Sequence, residues 1–258
     1  MANKPRNAVF TTVLWDGGSK IADFPRHMVR LRNHAERLRI ELPDNIEQLI
    51  SKRLIEYADK SNKTQLLNIK FECETNQFIL TSRQLPKLRN SEIHAMTLPL
   101  KKWLGEITGT KHGDWAPYID AKNLAEEAGA DIALLVDEYC IIDSDRAGII
   151  VIDEDGVAYI SDSNLSVNGT TLEIVTETFE EMGIPVNYAR LNERLVARSC
   201  EIIALGVGLG CCRIITIDGV QIGGVSAIVA NKCQAILAQH YSNINNWTDL
   251  CENPGQKV

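Results

Sequence analysis

The spacing of apolar positions switches between two periods along the chain, and each switch marks a new element. Residues 8–15, AVFTTVLW, are rich in β-branched and aromatic residues and read as a strand. Asp16-Gly17-Gly18 is a hairpin turn signal, with a brief return strand over Ile21 to Phe24. The period then changes. Phe24, Met28, Leu31, Ala35 and Leu38 recur at steps of four and three, which predicts an amphipathic helix with Pro25 in its first turn and Asp23 or a neighbour as its cap. His27, Arg30 and His34 fall on an adjoining face. A second helix from Asn45 to Ala58 turns Ile46, Leu49, Ile50 and Leu54 inward, and residues 64–72 and 77–82 read as a strand pair about Thr75-Asn76. Residues 83–95, with Pro86, are charged and turn-rich and put a domain boundary at about residue 95.

The second half carries more punctuation. After Lys111 comes a polar turn, then a helix of alanine, glutamate and leucine that breaks at Gly129-Ala130-Asp131. The apolar run Ile132 to Val136 reads as a buried strand, followed by a turn, Ile141-Ile142 and the acid Asp143. IIVIDEDGVAYIS is a hairpin around Asp153 to Gly156. Thr170 with Glu173 fits a capping box, opening a helix that buries Leu172, Val175, Phe179 and Met182 and stops at Gly183. A short helix over about 190–200, an apolar run from Ile202 to Leu209, a strand from Arg213 to Ile217 and a last helix over 224–241 complete the order. The tail from Ser242 is polar, with Trp247 as its only large apolar anchor, and is expected to be loosely held.

Composition narrows the function. The chain has 258 residues, 45% of them hydrophobic and 24% charged, enough for one large domain or two small ones. A net charge of −7 with no basic patch argues against a nucleic-acid surface, and the basic stretch from Arg26 to Arg37 reads as a solvated helix face. The longest apolar run is too short to span a bilayer, and the N-terminus has no apolar signal core, so neither membrane nor secretion is expected. Seven cysteines at irregular spacing, with no CxxC pair, imply reduced thiols in the cytoplasm and no zinc site. Gly206-x-Gly208-x-Gly210 lacks the spacing of a dinucleotide fingerprint, and the five histidines form no metal-ligand pattern.

One constellation points to chemistry. A lysine and a carboxylate at the two ends of the Lys111–Asp143 unit are what a pyridoxal 5'-phosphate (PLP) enzyme requires: an amine to bond the cofactor aldehyde and an acid for its pyridine nitrogen. Lys111 taken alone reads as a surface lysine, Asp143 as a turn residue with Asp145 as a competitor, and Arg30 as a helix-surface charge. Thr170 and Thr171 are at minimum a helix start, and a helix start is also a seat for phosphate.

The order of the motifs gives these residues more weight. HMVRL (His27 to Leu31), the lysine–acid unit, Gly169-Thr170-Thr171 and the IDG turn appear in the sequence of the fold-type IV PLP enzymes. The chain resembles that family, which holds the branched-chain and D-amino-acid aminotransferases and 4-amino-4-deoxychorismate lyase, from about Phe10 to about Ile222. The resemblance implies an α/β protein of two domains: a small α/β N-terminal domain over residues 1–95 and a larger β-rich domain with flanking helices over 96–258, which carries the lysine, with PLP at their junction. It implies Lys111 as the catalytic Schiff-base lysine, Arg30 as a phosphate ligand, and Gly169, Thr170 and Thr171 as a second phosphate seat. Asp143, 32 residues after Lys111, takes the place of the family's glutamate, one methylene shorter. Val207 takes the place of the family's phosphate-binding threonine, and Cys211-Cys212-Arg213 replaces its usual following residues. The function implied is transfer of an amino group between an amino acid and a 2-oxo acid. The alternatives are the lyase, acting on aminodeoxychorismate, and a relative that has lost catalysis; a homodimer is implied in each case.

Overall fold

In the computed structural model residues 4–57, 63–86 and 91–251 are described. They divide into two compact units. One gathers the described residues of Met1–Pro86, Thr110–Trp115 and His240–Val258; the other gathers those of Lys87–Gly109 and Ala116–Gln239. The sequence put the change at about residue 95 and the lysine with the C-terminal part. By contacts the division falls between Pro86 and Lys87, and Lys111 groups with the N-terminal strands and helices.

The first unit opens with β1 (Ala8–Trp15) and β2 (Lys20–Ala22), joined by the expected turn. Asp16 makes that turn, its Oδ1 accepting from the N–H of Gly18 at 2.8 Å and of Lys20 at 3.0 Å. Helices α1 (Phe24–Leu38) and α2 (Ile46–Tyr57) follow; the expected end of α2 at Ala58 lies outside the described residues. Strand β3 (Gln65–Glu72) pairs antiparallel with β1 along its whole length, and β4 (Gln77–Gln84) extends the sheet. The apolar stripe of α1 is buried as its spacing predicts. Asp23 stands at the N-cap but in a left-handed conformation (φ 52°), and it makes no side-chain cap bond. Its carboxylate meets His240 Nε2 at 2.8 Å instead.

The second unit begins with β5 (Glu92–Pro99), a strand where the sequence suggested a turn-rich linker up to residue 95. Helix α3 (Ala116–Glu127) ends as predicted: Gly129 adopts φ 84°, a conformation that costs glycine little, and Ala130 N–H bonds back to Ala125 O at 2.8 Å. Strands β6 (Ile132–Asp137), β7 (Cys140–Ser144), β8 (Gly148–Ile152) and β9 (Ala158–Ser161) lead to α4 (Thr170–Glu181). Then come β10 (Val186–Ala189), β11 (Leu191–Asn192), α5 (Glu193–Ala197), β12 (Glu201–Gly206), β13 (Gly210–Ile217), β14 (Val220–Gln221) and α6 (Ile228–Ser242). Nine strands run β10-β9-β8-β12-β13-β5-β6-β7-β11, with β14 beside β13. Alternate residues of these strands, among them Ile93, Ala95, Ile132, Leu134, Ile149, Val151, Ile202 and Ala204, turn to one side and form a core, the two-residue period expected of strands.

Two local expectations are corrected. Gly169, not Thr170, is the N-cap of α4, and Thr170 is its first residue; the first helical bond runs from Glu173 N–H to Gly169 O at 3.1 Å. Met182, expected in the core, follows the last turn and is half exposed. The tail is also held more firmly than its polarity suggested. β15 (Trp247–Asp249) pairs with β2, completing the first unit's five-stranded sheet in the order β15-β2-β1-β3-β4, and Trp247 Nε1 donates to Tyr241 O at 2.9 Å. Residues 252–258 lie outside the described residues. No helix among the described residues is long and apolar enough to cross a membrane.

Candidate active site

In the first unit, α1, β1 and the turn at Thr110–Trp115 bring Lys111 and Arg30 under common control. The lysine main chain lies along β1: Phe10 N–H donates to Lys111 O at 3.1 Å, and Val9 bridges to His112. On the other side, Lys111 N–H donates to His34 Nδ1 at 3.1 Å. The ammonium Nζ lies 4.7 Å from the ring centre of Trp115 and 5.3 Å from that of Phe10, and the two rings meet edge to face. Arg30 is buried rather than solvated, although it sits in the stretch that read as a basic surface. Its Nη2 donates to Thr11 Oγ1 at 2.8 Å and lies 3.2 Å from His27 Nδ1, while Thr11 Oγ1 lies 2.9 Å from the same nitrogen. A guanidinium only donates, so His27 Nδ1 accepts and the ring carries its proton on Nε2. Thr11 and His27 thus hold Arg30 as neutral acceptors.

Burial and the nearby cations keep these histidines uncharged. Burial, then Arg30 and Lys111, hold His27 well below the ordinary histidine value. His34 is pushed down to about 2 by burial, then by Arg30, Lys111, Arg37 and His112. His112 is pushed to about 4, again by burial, with Asp114 opposing. The unfolded chain therefore binds protons below pH 6.5 that the folded chain refuses, so stability falls as pH drops through 6.5 and keeps falling until the folded groups titrate. Melting temperature measured from about pH 7.5 down to about 4.5 should fall, and His34→Asn should flatten the slope. An unchanged slope in that variant would show that His34 is not held neutral.

In the second unit, Asp143 lies buried near the end of β7, its Oδ1 accepting from Ser144 N–H and its Oδ2 from Val167 N–H, each at 2.9 Å. The second bond ties β7 to the loop that enters α4 at Gly169, Thr170 and Thr171; both threonines are buried. Burial, followed by the charge of Asp143, raises the phenol of Tyr118. Asp145 is held differently. Oδ1 accepts from Ala133 N–H at 3.0 Å and Oδ2 pairs with Arg146 Nε at 2.6 Å. Burial still raises its carboxyl despite Arg146. Val207 lies in the β12–β13 turn, where only its main chain is polar. Gly206 beside it is required by close approach, since a Cβ there would stand 2.6 Å from Arg146 O.

The model of the class IV aminotransferases matches residues 8–217, most of the chain and every residue just described. The chain belongs to the class IV aminotransferase family. Among curated proteins none matches. Solved structures with the same fold include a branched-chain aminotransferase from Thermoproteus uzoniensis with norvaline, 18% identical, TM-score 0.79, covering 95% of this chain and 90% of that one. The T.th. branched-chain amino acid aminotransferase complexed with N-(5'-phosphopyridoxyl)-L-glutamate is 18% identical, TM-score 0.77, covering 95% of this chain and 90% of that one. A Legionella pneumophila protein given provisionally as a 4-amino-4-deoxychorismate lyase is 17% identical, TM-score 0.77, covering 91% of each chain. At these identities the likenesses establish the fold.

Class IV aminotransferases are PLP-dependent, and the residues of this chain suit that cofactor. The first unit offers a primary amine beside two aromatic rings and a buried guanidinium held by neutral acceptors. The second offers a buried acid held as an acceptor and a helix start without a side-chain cap. The sequence did not single out Thr11, His34 or Trp115. The signal for His34 was present in its spacing, since 27, 30 and 34 share one face of α1, but its partner is 77 residues away.

Proposed function

We propose that this PLP-dependent class IV aminotransferase carries its cofactor on Lys111 and moves an amino group between a small amino acid and a 2-oxo acid. The observation that carries the reading is that α1 holds Lys111 through His34 and carries Arg30, whose guanidinium is tied to Thr11 of β1 and to His27. Arg30 binds the cofactor phosphate with a charge-assisted bond, and the first N–H groups of α4, at Thr170 and Thr171 after Gly169, give a second phosphate seat. Val207 adds only its main-chain N–H to that set. Bound PLP supplies the electron sink for the chemistry at the substrate Cα. Asp143 keeps the pyridine nitrogen protonated. It suits the task better than Asp145, whose charge is already matched by Arg146. Lys111 would hold the cofactor and, at the substrate Cα, its amine would serve as the general base that accepts the proton and as the acid that passes it on. Seven free cysteines fit a reducing compartment, and we place the protein in the cytoplasm, as a homodimer, to be checked by light scattering.

A panel of L- and D-amino acids tests the reaction. Release of a 2-oxo acid with the amino group passed to a second 2-oxo acid is expected. Pyruvate from 4-amino-4-deoxychorismate without amino transfer would move the assignment to the lyase. Silence in both assays from protein that binds PLP would mark a relative without catalysis.

A further inference from the structure

His34 belongs to none of the sequence motifs, yet it bonds the main chain of the lysine proposed to carry PLP. It is buried, four residues after Arg30 and hence about one turn along the same face of α1. Its Nδ1 accepts the Lys111 main-chain N–H, while Lys111 O accepts from Phe10 N–H, so the lysine main chain is clamped between α1 and β1. We infer that His34 is a positioning residue for Lys111: by holding the Lys111 main-chain N–H it sets the geometry in which the side-chain amine meets the cofactor. The inference rests on the reading that Lys111 carries PLP.

The chemistry of the acceptor matters. A carboxylate at this position would bring a negative charge beside both Lys111 and Arg30 and compete for the two cations the site needs. A neutral imidazole reaches and accepts without charge, and burial together with Arg30, Lys111, Arg37 and His112 keeps it neutral. One helix then governs both the phosphate ligand and the lysine. That fixes the spacing between two groups that lie far apart in sequence.

Two variants separate this role from packing. His34→Leu fills the site without an acceptor, and His34→Asn offers Oδ1 near the place of Nδ1. Hydrogen exchange at the Lys111 amide reads the contact without cofactor. Borohydride fixation after PLP addition, followed through time by peptide mapping, reads the positioning. In His34→Leu the amide should exchange roughly ten-fold faster and the label at Lys111 form roughly ten-fold more slowly, the scale of one lost hydrogen bond. His34→Asn should recover most of both. If His34→Leu does not fold, His34→Gln replaces it, since its acceptor lies one methylene further out and should label more slowly than His34→Asn. Wild-type labelling in His34→Leu or its substitute, or equal losses in both variants, overturns the inference alone. A wild-type protein that takes no label at Lys111 overturns the cofactor reading, and the inference with it.

Discussion

Lys111→Ala should hold PLP only without a covalent bond, and its turnover should fall by on the order of 10²–10⁴ or more, the contribution of a positioned proton-transfer group. The fold should survive. The contacts that seat this residue, Phe10 N–H to Lys111 O and Lys111 N–H to His34, belong to the main chain and remain after truncation. The loss to the fold includes the ammonium over Trp115 and Phe10, worth roughly 0.5–2 kcal/mol. A melting temperature within a few degrees of wild type, with the activity gone, is the expected pair of results. Added primary amines should restore part of the turnover. Near-wild-type turnover in Lys111→Ala would remove the lysine from the mechanism.

Asp143→Ala should lose both activity and stability, and the two losses have separate origins. Without the carboxylate, the N–H groups of Ser144 and Val167 are left without an acceptor in a buried place, at about 1–3 kcal/mol for each. Without its charge the pyridine nitrogen loses its proton, and turnover should drop by on the order of 10²–10³, the scale seen when one preorganised electrostatic group is removed. Asp143→Asn separates the effects. Its shape is kept, but its NH₂ must face one of the two N–H donors, so part of the stability and most of the activity should go. Asp145→Asn breaks the pair with Arg146 and should lower the melting temperature while leaving turnover within a few-fold of wild type. If Asp145→Asn instead stops the reaction while Asp143→Asn does not, the pyridine partner is Asp145.

Much of the fold was legible because period and punctuation agree locally. The stripe from Phe24 to Leu38 became α1, the Gly129-Ala130-Asp131 break became the end of α3 and the start of β6, and Asp16-Gly17-Gly18 became the first turn. The failures share a cause in long-range contacts. β5 was hidden because its residues up to Ala95 were read with the charged linker before them; its two parallel partners, β6 and β13, are distant in sequence. The polar tail looked loose because its strand pairing with β2 spans most of the chain. Thr170 looked like a cap because the pattern ignores that Gly169 already occupies that place.

For the proposed function, Lys111, Arg30 and Asp143 are singled out by the order of motifs, not by any one of them. Arg30 alone read as part of a solvated basic face, and what draws it inward is Thr11, a polar residue on a strand whose neighbours are almost all buried. A strand pattern cannot tell a buried threonine with a partner from a tolerated one. The preference for Asp143 over Asp145 likewise depends on Arg146 turning its Nε to one carboxylate and not the other, which two acids near each other in sequence cannot reveal.

The most direct test of the account is to add PLP to the wild-type protein, reduce with borohydride and map the peptides. The account predicts a single pyridoxyl group on Lys111, with a visible absorbance band that disappears on reduction. A label on any other lysine, or none, would contradict it.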